Sequence, residues 1–197
     1  MVDTAVQSLL PRIRPYVRAC PLAVVQQQAR KMAHQFFVQT EVWRETVTLA
    51  QQTLLAAYIN EYVPTLDDDY SAVVKRLVTV YIDGTSFDQA GYAFRADGVL
   101  VFDTARTDTT EAVTADIVIQ PEESFEDYPS YLMSRWGDGI VAGTIGRLKA
   151  QLGVPWSSPQ EAQSYLDEFE NAIGRARTEN MGGRLNGQTT IQMIDFI

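Results

Sequence analysis

The chain has 197 residues and a mass of 22.0 kDa, which fits one domain with a core, or a core that carries an insertion. Hydrophobic residues make up 46% and charged residues 21%, a composition typical of globular proteins rather than disordered ones. The formal net charge of −9 argues against nucleic-acid binding, which needs a basic surface to displace counterions. The single cysteine excludes an internal disulfide and a cysteine metal cluster.

The N-terminal segment is the first element along the chain. It lacks the charged-then-apolar order of a signal peptide, and no apolar run in the chain reaches the roughly 18 residues of a membrane span. We therefore expect the protein to be made and assembled in a cytosol, without a membrane partner. Prolines interrupt residues 1–20 and prevent a long helix there.

The first helix is predicted over residues 21–38, with Pro21 at the first helical position, where its missing N–H is not needed. Gln27, Arg30 and His34 fall on the polar face of this helix. One apolar stripe at helical spacing is formed by Leu22, Val25, Ala29, Met32, Ala33 and Phe36. Residues 1–42 are accordingly predicted to be the lead-in and first helix of a helical bundle.

The hydrophobic period then changes to that of strands, and residues 43–121 are predicted to be an inserted, β-rich domain. The clearest hairpin is "GYAFRADGVLVFD", in which Asp97-Gly98 supplies a type I′ turn. The segments "LVTVYI" and "AVTADIVIQP" alternate as strands, and "ETVTLA" and "TLLAAYI" are weaker candidates. About five or six antiparallel strands are expected.

The last third, residues 122–183, is predicted to be a helical hairpin that completes the bundle. Its first helix is expected over about residues 128–152, capped by Asp127 and ended by Gly153 and Pro155. Its predicted inward positions are Leu132, Trp136, Ile140, Val141, Ile145, Leu148 and Leu152.

The second helix of this hairpin begins after "GVPWSSP". Ser158 and Glu161 have the spacing of a capping box, and Pro159 suits the first helical position. Trp156 is expected to set the angle between the two helices, and Gly182 and Gly183 are expected to end the second one.

Residues 184–197 form an apolar C-terminal tail, whereas free tails are usually polar. This composition predicts a docking segment, on the protein's own body or on a partner. The residues expected to dock are Ile191, Met193, Ile194, Phe196 and Ile197.

Catalytic and metal-binding patterns are sparse. Cys20 and His34 as a dyad would lie roughly 21 Å apart along one helix, whereas a dyad needs about 3 Å; a packed thiol and a surface histidine are the favoured interpretations. "LDDDY" at 66–70 lacks the spacing of a cation-binding loop, although Asp67 and Asp69 in a cleft would be the acids of an enzyme. The acids of "PEESFEDYP" suit the positive end of the helix that follows them. No cofactor, metal or catalytic residue is predicted.

Glycines recur in "WGDGIVAGTIG", within the predicted helix at 128–152. No Lys-Ser or Lys-Thr follows them, so the segment is not a phosphate-binding loop. Glycine inside a helix costs up to about 1 kcal/mol, so another helix must approach closely, either from the same chain or from a neighbouring subunit. Gly139, Gly143 and Gly146 are predicted to form this packing surface between subunits.

Two groups of residues resemble the head–tail adaptor (connector) proteins of short-tailed phages. In that family a Cys-Pro opens the first helix, Ala-x-x-Phe lies near its end and Thr/Ser-x-x-Trp follows. This pattern is matched here by Cys20-Pro21, Ala33, Phe36, Thr40 and Trp43. Later in that family a helix ends in a Gly/Pro-Trp-Ser corner, which is followed by Pro, Ala, an aromatic residue and Phe, and then by Ala-Arg. The residues that match here are Gly143, Leu148, Pro155-Trp156-Ser157, Pro159, Ala162, Tyr165, Phe169 and Ala176-Arg177. The β-rich middle with "ADGVLVF" and "VIQP" is also similar, and the resemblance covers about residues 8–183.

The resemblance implies an α+β fold: an antiparallel bundle of three main helices, an inserted antiparallel β-domain and an extended C-terminal tail. It implies a non-catalytic virion protein of the neck, assembled in the host cytoplasm as a ring of about twelve copies below the portal. Its partners would be the portal ring, a tail or nozzle protein, further copies of itself, and genome DNA that passes through without sequence-specific binding. Trp43, Trp156, Ser158 and Glu161 would be structural corner residues, and the tail would dock on the portal. The alternatives are another neck protein such as a stopper, or a small soluble α+β binding protein.

Overall fold

The computed structural model describes residues 3–51, 61–64, 72–87, 91–95, 99–102, 113–123, 125 and 127–185. The chain divides into two compact units: Met1–Val42 with Glu126–Ile197, and Trp43–Phe125. The fold is α+β with antiparallel sheets, which confirms the predicted class. The first unit is called the helical unit below, and the second the strand unit.

The described part of the helical unit contains two short strands and the main helices. Its elements are β1 (Asp3–Ala5), α1 (Leu10–Ile13) between two 3₁₀ turns (Val6–Leu9 and Arg14–Tyr16), α2 (Leu22–Thr40), β9 (Asp127–Pro129), α3 (Ser130–Lys149) and α4 (Pro159–Leu185). The prolines of the lead-in limit it to these short turns, as predicted. Ile13 and Val17 are buried, so the lead-in packs on the core of this unit.

Helix α2 starts one residue later and ends two residues later than predicted. Pro21 precedes the first helical residue, with φ −56° and ψ 137°. Leu22 is 48% exposed and does not belong to the buried stripe, which extends instead to Phe37 and Thr40. The last helical residue is Thr40; Glu41 follows in a left-handed conformation (φ 53°) and donates its N–H to the Phe37 carbonyl.

Helix α3 begins at Ser130, so the predicted cap at Asp127 is wrong. Residues 127–129 form β9, which pairs antiparallel with β1, and an extended backbone is incompatible with a helical start at 128. The helix ends at Lys149 rather than near residue 152. Leu152 lies beyond this end and is 81% exposed, because the apolar period continues past the point where the helix stops.

Helix α4 starts at Pro159, as predicted, and continues to Leu185. The predicted stop at Gly182 and Gly183 is therefore wrong: glycine lowers helix stability by about 1 kcal/mol but does not forbid the conformation. The predicted polar positions, including Gln163 and Asp167, are exposed. Ala162, Phe169, Ala172, Ile173 and Ala176 are buried, as the apolar period indicates.

Seven strands form the strand unit's described sheet, one more than the largest predicted number. They are β2 (Arg44–Gln51), β3 (Glu61–Pro64), β4 (Ala72–Ile82), β5 (Thr85–Phe87), β6 (Tyr92–Phe94), β7 (Leu100–Phe102) and β8 (Val113–Pro121), in the spatial order β5-β4-β8-β2-β3-β7-β6. Every pair is antiparallel. The predicted hairpin is present as β6 and β7, while its turn at Asp97-Gly98 and the segment "TLLAAYI" lie outside the described residues.

Aromatic side chains and a buried face of β8 make the core of the strand unit. Ala115, Ile117, Val118 and Ile119 of β8 are at most 1% exposed. The Phe102 ring meets Tyr62 edge-on, with centroids 5.4 Å apart. Period-2 alternation in "AVTADIVIQP" therefore predicted the buried face correctly, although Val118, on the other side of the strand, is buried as well.

Candidate functional site

The turn between α3 and α4 contains the Pro155-Trp156-Ser157 corner and leads into the predicted capping box of Ser158 and Glu161. The Ser158 N–H donates to the Lys149 carbonyl (2.9 Å), and the Ser157 N–H donates to the Val154 carbonyl (3.0 Å). The half-buried Trp156 donates its indole Nε1–H to Gln151 Oε1 across 3.2 Å. Gly153 has φ +77°, a conformation that favours glycine. These bonds close a compact helix–helix turn, with Trp156 as its only aromatic residue.

Ser158 and Glu161 both lie at the start of α4, but Glu161 makes its strongest contact across the turn. The Ser158 carbonyl accepts the Ala162 N–H, the first helical bond of α4. Lys149 Nζ donates to Glu161 Oε2 at 2.6 Å, from a side chain that is only 10% exposed. The Lys149 hydrogen bond and charge, with a smaller contribution from the Ser158 hydroxyl, lower the pKa of the Glu161 carboxyl. The pair thus ties the end of α3 to the start of α4.

Low pH should weaken the Lys149–Glu161 ion pair that links α3 to α4. Because the pKa of Glu161 is lower in the folded chain, its stabilising effect is complete above the ordinary carboxyl pKa and is lost as the pH falls through the lowered value. We expect Glu161→Gln to lower the denaturant midpoint at pH 7, the difference from wild type to shrink as the pH falls below about 4.3, and the difference to vanish once the pH is below the lowered pKa. The measurement is urea unfolding followed by circular dichroism across this pH range.

Lys149→Met is the matched control, because methionine keeps the aliphatic length and removes the charge. In the Lys149→Met background, Glu161→Gln should have no further pH-dependent effect. An equal effect in both backgrounds would assign the pH dependence to another group.

The predicted glycine face of α3 packs against α4 of the same chain. A Cβ added to Gly139 would lie 2.6 Å from Ala172 Cβ, one added to Gly143 would lie 2.6 Å from Phe169 Cδ2, and one added to Gly146 would lie 2.9 Å from Leu166 Cγ. The sequence left open whether the close approach was intramolecular. We assign the three glycines to this helix pair and do not carry their predicted use between subunits into the proposal below.

Side chains from α4 cap the C-terminal end of α2, a contact that the sequence did not reveal. Asn180 Nδ2 donates to the Thr40 carbonyl (2.9 Å) and to the Glu41 carbonyl (3.1 Å), and Arg177 Nε donates to the Gln39 carbonyl (3.0 Å). The last carbonyls of a helix lack intrahelical partners and carry partial negative charge. Arg177, one of the residues that carry the family resemblance, therefore has a structural task here.

Removing this cap should destabilise the helical unit. We expect Asn180→Ala to lower the free energy of unfolding by about 1–3 kcal/mol, because two partly buried carbonyls lose their donor. Asn171→Ala is the matched control, since Asn171 is exposed on the same helix, and it should change stability by less than about 0.5 kcal/mol. Thermal and urea unfolding of the two variants measure the difference, and equal stabilities would contradict the capping role.

Cys20 and His34 do not form a reactive pair. The Cys20 side chain is buried at 2% exposure, before the start of α2, and burial raises the pKa of its thiol against a smaller opposing effect of the Arg14 charge. A thiol with a raised pKa is a poor nucleophile at neutral pH. His34 is half-buried on α2. Within the described residues, no cluster of three or more His, Cys, Asp or Glu side chains has the geometry to hold a metal ion.

Several predicted residues cannot be placed in this site. The acidic run at 66–70, with Asp67 and Asp69, and the tail residues Ile191, Met193, Ile194, Phe196 and Ile197 lie outside the described residues. Trp43 belongs to the strand unit, where it is 0% exposed, donates to Glu45 Oε1 (2.9 Å) and lies 5.4 Å from the Phe125 ring. It is thus a core residue of that unit, while Trp156 belongs to the helical unit.

Two clefts border α4, with volumes of about 440 and 360 Å³; α4 residues line the larger one, whereas Asp138, Gly139 and Ala142 of α3 also line the smaller one. Their linings share Asn171 and Arg175, and both clefts are formed largely by exposed side chains. Small-molecule sites usually bury most of the ligand surface in an enclosed pocket, which a lining of exposed side chains does not provide. The outer side of α4 therefore fits contact with a macromolecule better than it fits a small ligand.

Among the helices that the structure describes, none has the length and hydrophobicity needed to cross a membrane. Neither a protein-family model nor a curated protein sequence matches the chain.

Proposed function

We propose that this protein is a structural virion protein, the head-to-tail adaptor of a short-tailed phage. In this role it forms a ring of about twelve copies under the portal, extends the DNA channel and docks the tail. The observation that carries the proposal is the sequence resemblance, whose two separated groups of residues, around Cys20-Pro21 and around Pro155-Trp156-Ser157, lie largely within one compact unit. The role is non-catalytic and needs no cofactor.

Each part of the chain has a task in this proposal. The helices α2, α3 and α4 act as an antiparallel three-helix bundle that builds the ring. The β-rich domain, which comes between α2 and α3 in the sequence, faces outward or toward the tail or nozzle protein. The apolar C-terminal tail docks on the portal ring. The protein then resides in the virion neck, after assembly in the host cytoplasm.

The acidic composition supports a channel role. The net charge is −9, and acidic walls avoid the contacts that phosphates make with lysine and arginine. Genome DNA can therefore pass without sequence-specific binding.

The alternatives are a different neck protein, such as a stopper, and a small soluble α+β binding protein. The clefts along α4 are the observation that favours the second of these. We rank it lower because exposed side chains form most of their lining.

Quantitative mass spectrometry of purified virions from the source tests the proposal. The adaptor role predicts this chain in the particle at a ratio near one to one with the portal protein. A chain that is absent from the particle contradicts the proposal and leaves the soluble binding protein. A stopper is distinguished by its place in the neck, which electron microscopy of antibody-labelled particles reveals.

A further inference from the structure

The lead-in and α2 form a basic segment within an acidic protein. Residues 4–40 contain no Asp or Glu, although the whole chain of 197 residues has 25. The same residues contain five bases: Arg12, Arg14, Arg18, Arg30 and Lys31. Arg12 is paired with Asp138 of α3. Lys31 is exposed on α2, on the side opposite the stripe that includes Ala29, Met32 and Phe36.

The first half of α4 has the opposite charge. Residues 159–174 contain no Lys or Arg. Asp167, Glu168 and Glu170 are all exposed there, while Glu161 is already paired with Lys149. The Asp167 carboxylate accepts a hydrogen bond from Gln163 of the same helix. This acidic group also borders the clefts along α4, through Glu168 and Glu170.

The basic group around Lys31 and the acidic group on α4 lie at the same height along the helix axes of the helical unit. A Cβ on Gly143 would touch Phe169 of α4 (2.6 Å) and Met32 of α2 (2.9 Å). Met32 follows Lys31, and Phe169 follows Glu168, so Lys31 and Glu168 sit beside the same turn of α3. One turn earlier along α3, a Cβ on Gly139 would meet both Ala172 and Phe36. Both outer helices therefore run antiparallel to α3 and parallel to each other, with matched levels.

We propose that neighbouring copies of this chain associate through these two surfaces: the basic face of α2, around Lys31, on one copy and the acidic face of α4, formed by Asp167, Glu168 and Glu170, on the next. This inference rests on the proposed ring and names the surface that builds it. The two surfaces differ, so the contact is heterologous, and repeated heterologous contacts close into a ring when the rotation allows. If the rotation axis of the ring is parallel to the helices, the basic face of one copy lies at the same height as the acidic face of the next copy.

The contact is electrostatic, and this sets its expected behaviour. Complementary charges accelerate encounter and fix register more than they add affinity. Exposed charges are screened within about 8 Å at physiological ionic strength. Association through these faces is therefore expected to weaken steeply as salt rises.

Disulfide trapping tests the contact directly, even when free copies associate only briefly. The first variant is Gln27→Cys and the second is Ser164→Cys, mixed at equal concentration with an added oxidant; both positions are exposed, and they lie one helical turn before Lys31 and Glu168, so the charges of the contact are kept. Cys20 is 2% exposed, so it does not compete for cross-linking. The control replaces the second variant with Thr178→Cys, which is exposed on the same helix about 21 Å from Ser164. We expect cross-linked dimers in the first mixture about tenfold above the control at low salt, falling toward the control value at high salt.

Three results would overturn the contact. The first is a cross-link yield no higher than that of the control. The second is equally efficient cross-linking of Gln27→Cys to itself, which would indicate a two-fold contact. The third is binding of a fluorescent short DNA duplex to the wild type that is abolished in Lys31→Glu, which would assign the basic face to nucleic acid.

A charge-swap experiment checks the same inference without cysteines. Lys31→Glu and the double variant Asp167→Lys/Glu168→Lys should each self-associate less than wild type by sedimentation velocity. Mixed together, they pair the native basic face with the native acidic face and the two reversed faces with each other, so the mixture should regain the association of the wild type. If rings still form with either variant alone, this surface is wrong while the adaptor proposal stands. The virion mass spectrometry tests the adaptor role separately.

Discussion

Gly143→Ala should lower the free energy of unfolding by about 1–3 kcal/mol, although alanine is the better helix former. The added Cβ would lie 2.6 Å from Phe169 Cδ2 and 2.9 Å from Met32 Cε. The Phe169 ring is 1% exposed, and its Cγ would also lie only 2.8 Å from the added atom, so α3 and α4 must separate slightly to accept the methyl group. Urea unfolding followed by circular dichroism measures the loss.

Gly174→Ala is the matched control for this substitution. Gly174 lies on the outer side of α4, where an added Cβ would meet nothing within 4 Å. The alanine should therefore raise the free energy of unfolding by up to about 1 kcal/mol through helix propensity alone. If Gly143→Ala were stabilising to the same degree, the close helix–helix contact at Gly143 would be wrong.

Phe36→Ala should have a larger effect, a loss of about 3–5 kcal/mol. Phe36 is 0% exposed and is surrounded by the rings of Phe37, Trp136 and Phe169, at centroid distances of 5.6, 5.6 and 6.1 Å. Truncation removes one ring of this aromatic cluster and leaves a cavity that α2, α3 and α4 all border. A loss of this size is a large part of the free energy of unfolding of a typical domain, about 5–15 kcal/mol. The thermal midpoint should fall accordingly.

Leu22→Ala on the same helix is the control for Phe36→Ala. The hydrophobic period assigned Leu22 to the buried stripe, but it is 48% exposed. Its truncation should cost less than about 1 kcal/mol. Equal losses for Leu22→Ala and Phe36→Ala would contradict the burial pattern of α2.

Local sequence patterns predicted the α+β class and several elements of the fold. Apolar residues at helical spacing predicted α2 and α4, and strict alternation predicted β8, because each pattern reflects the burial of one face of one element. Pro159 fixed the start of α4 for an equally local reason, since its missing N–H suits the first helical turn.

The errors arose where a distant segment decides the local structure. The local sequence around Asp127 predicts a helix cap, but residues 127–129 pair with Asp3–Ala5 as a strand. A pairing between segments so far apart cannot be predicted from a local pattern. Asn180 caps α2 from 140 residues away. Glycines in α3 indicated a close neighbour, but only the structure showed that the neighbour is α4. Of the candidate site, the turn around Trp156 could be predicted from sequence, whereas the Lys149–Glu161 contact could not.

The order of the elements along the chain has a consequence for synthesis on the ribosome. Helix α2 emerges early, and its partners α3 and α4 follow only after the whole strand unit. Translation proceeds at about 5–20 residues per second. The apolar face of α2, with Phe36 and Phe37, therefore stays exposed for several seconds before residues 130–185 are synthesised. Nascent chains that stop at residue 125 should therefore recruit chaperones or aggregate, whereas chains that extend through α4 should not.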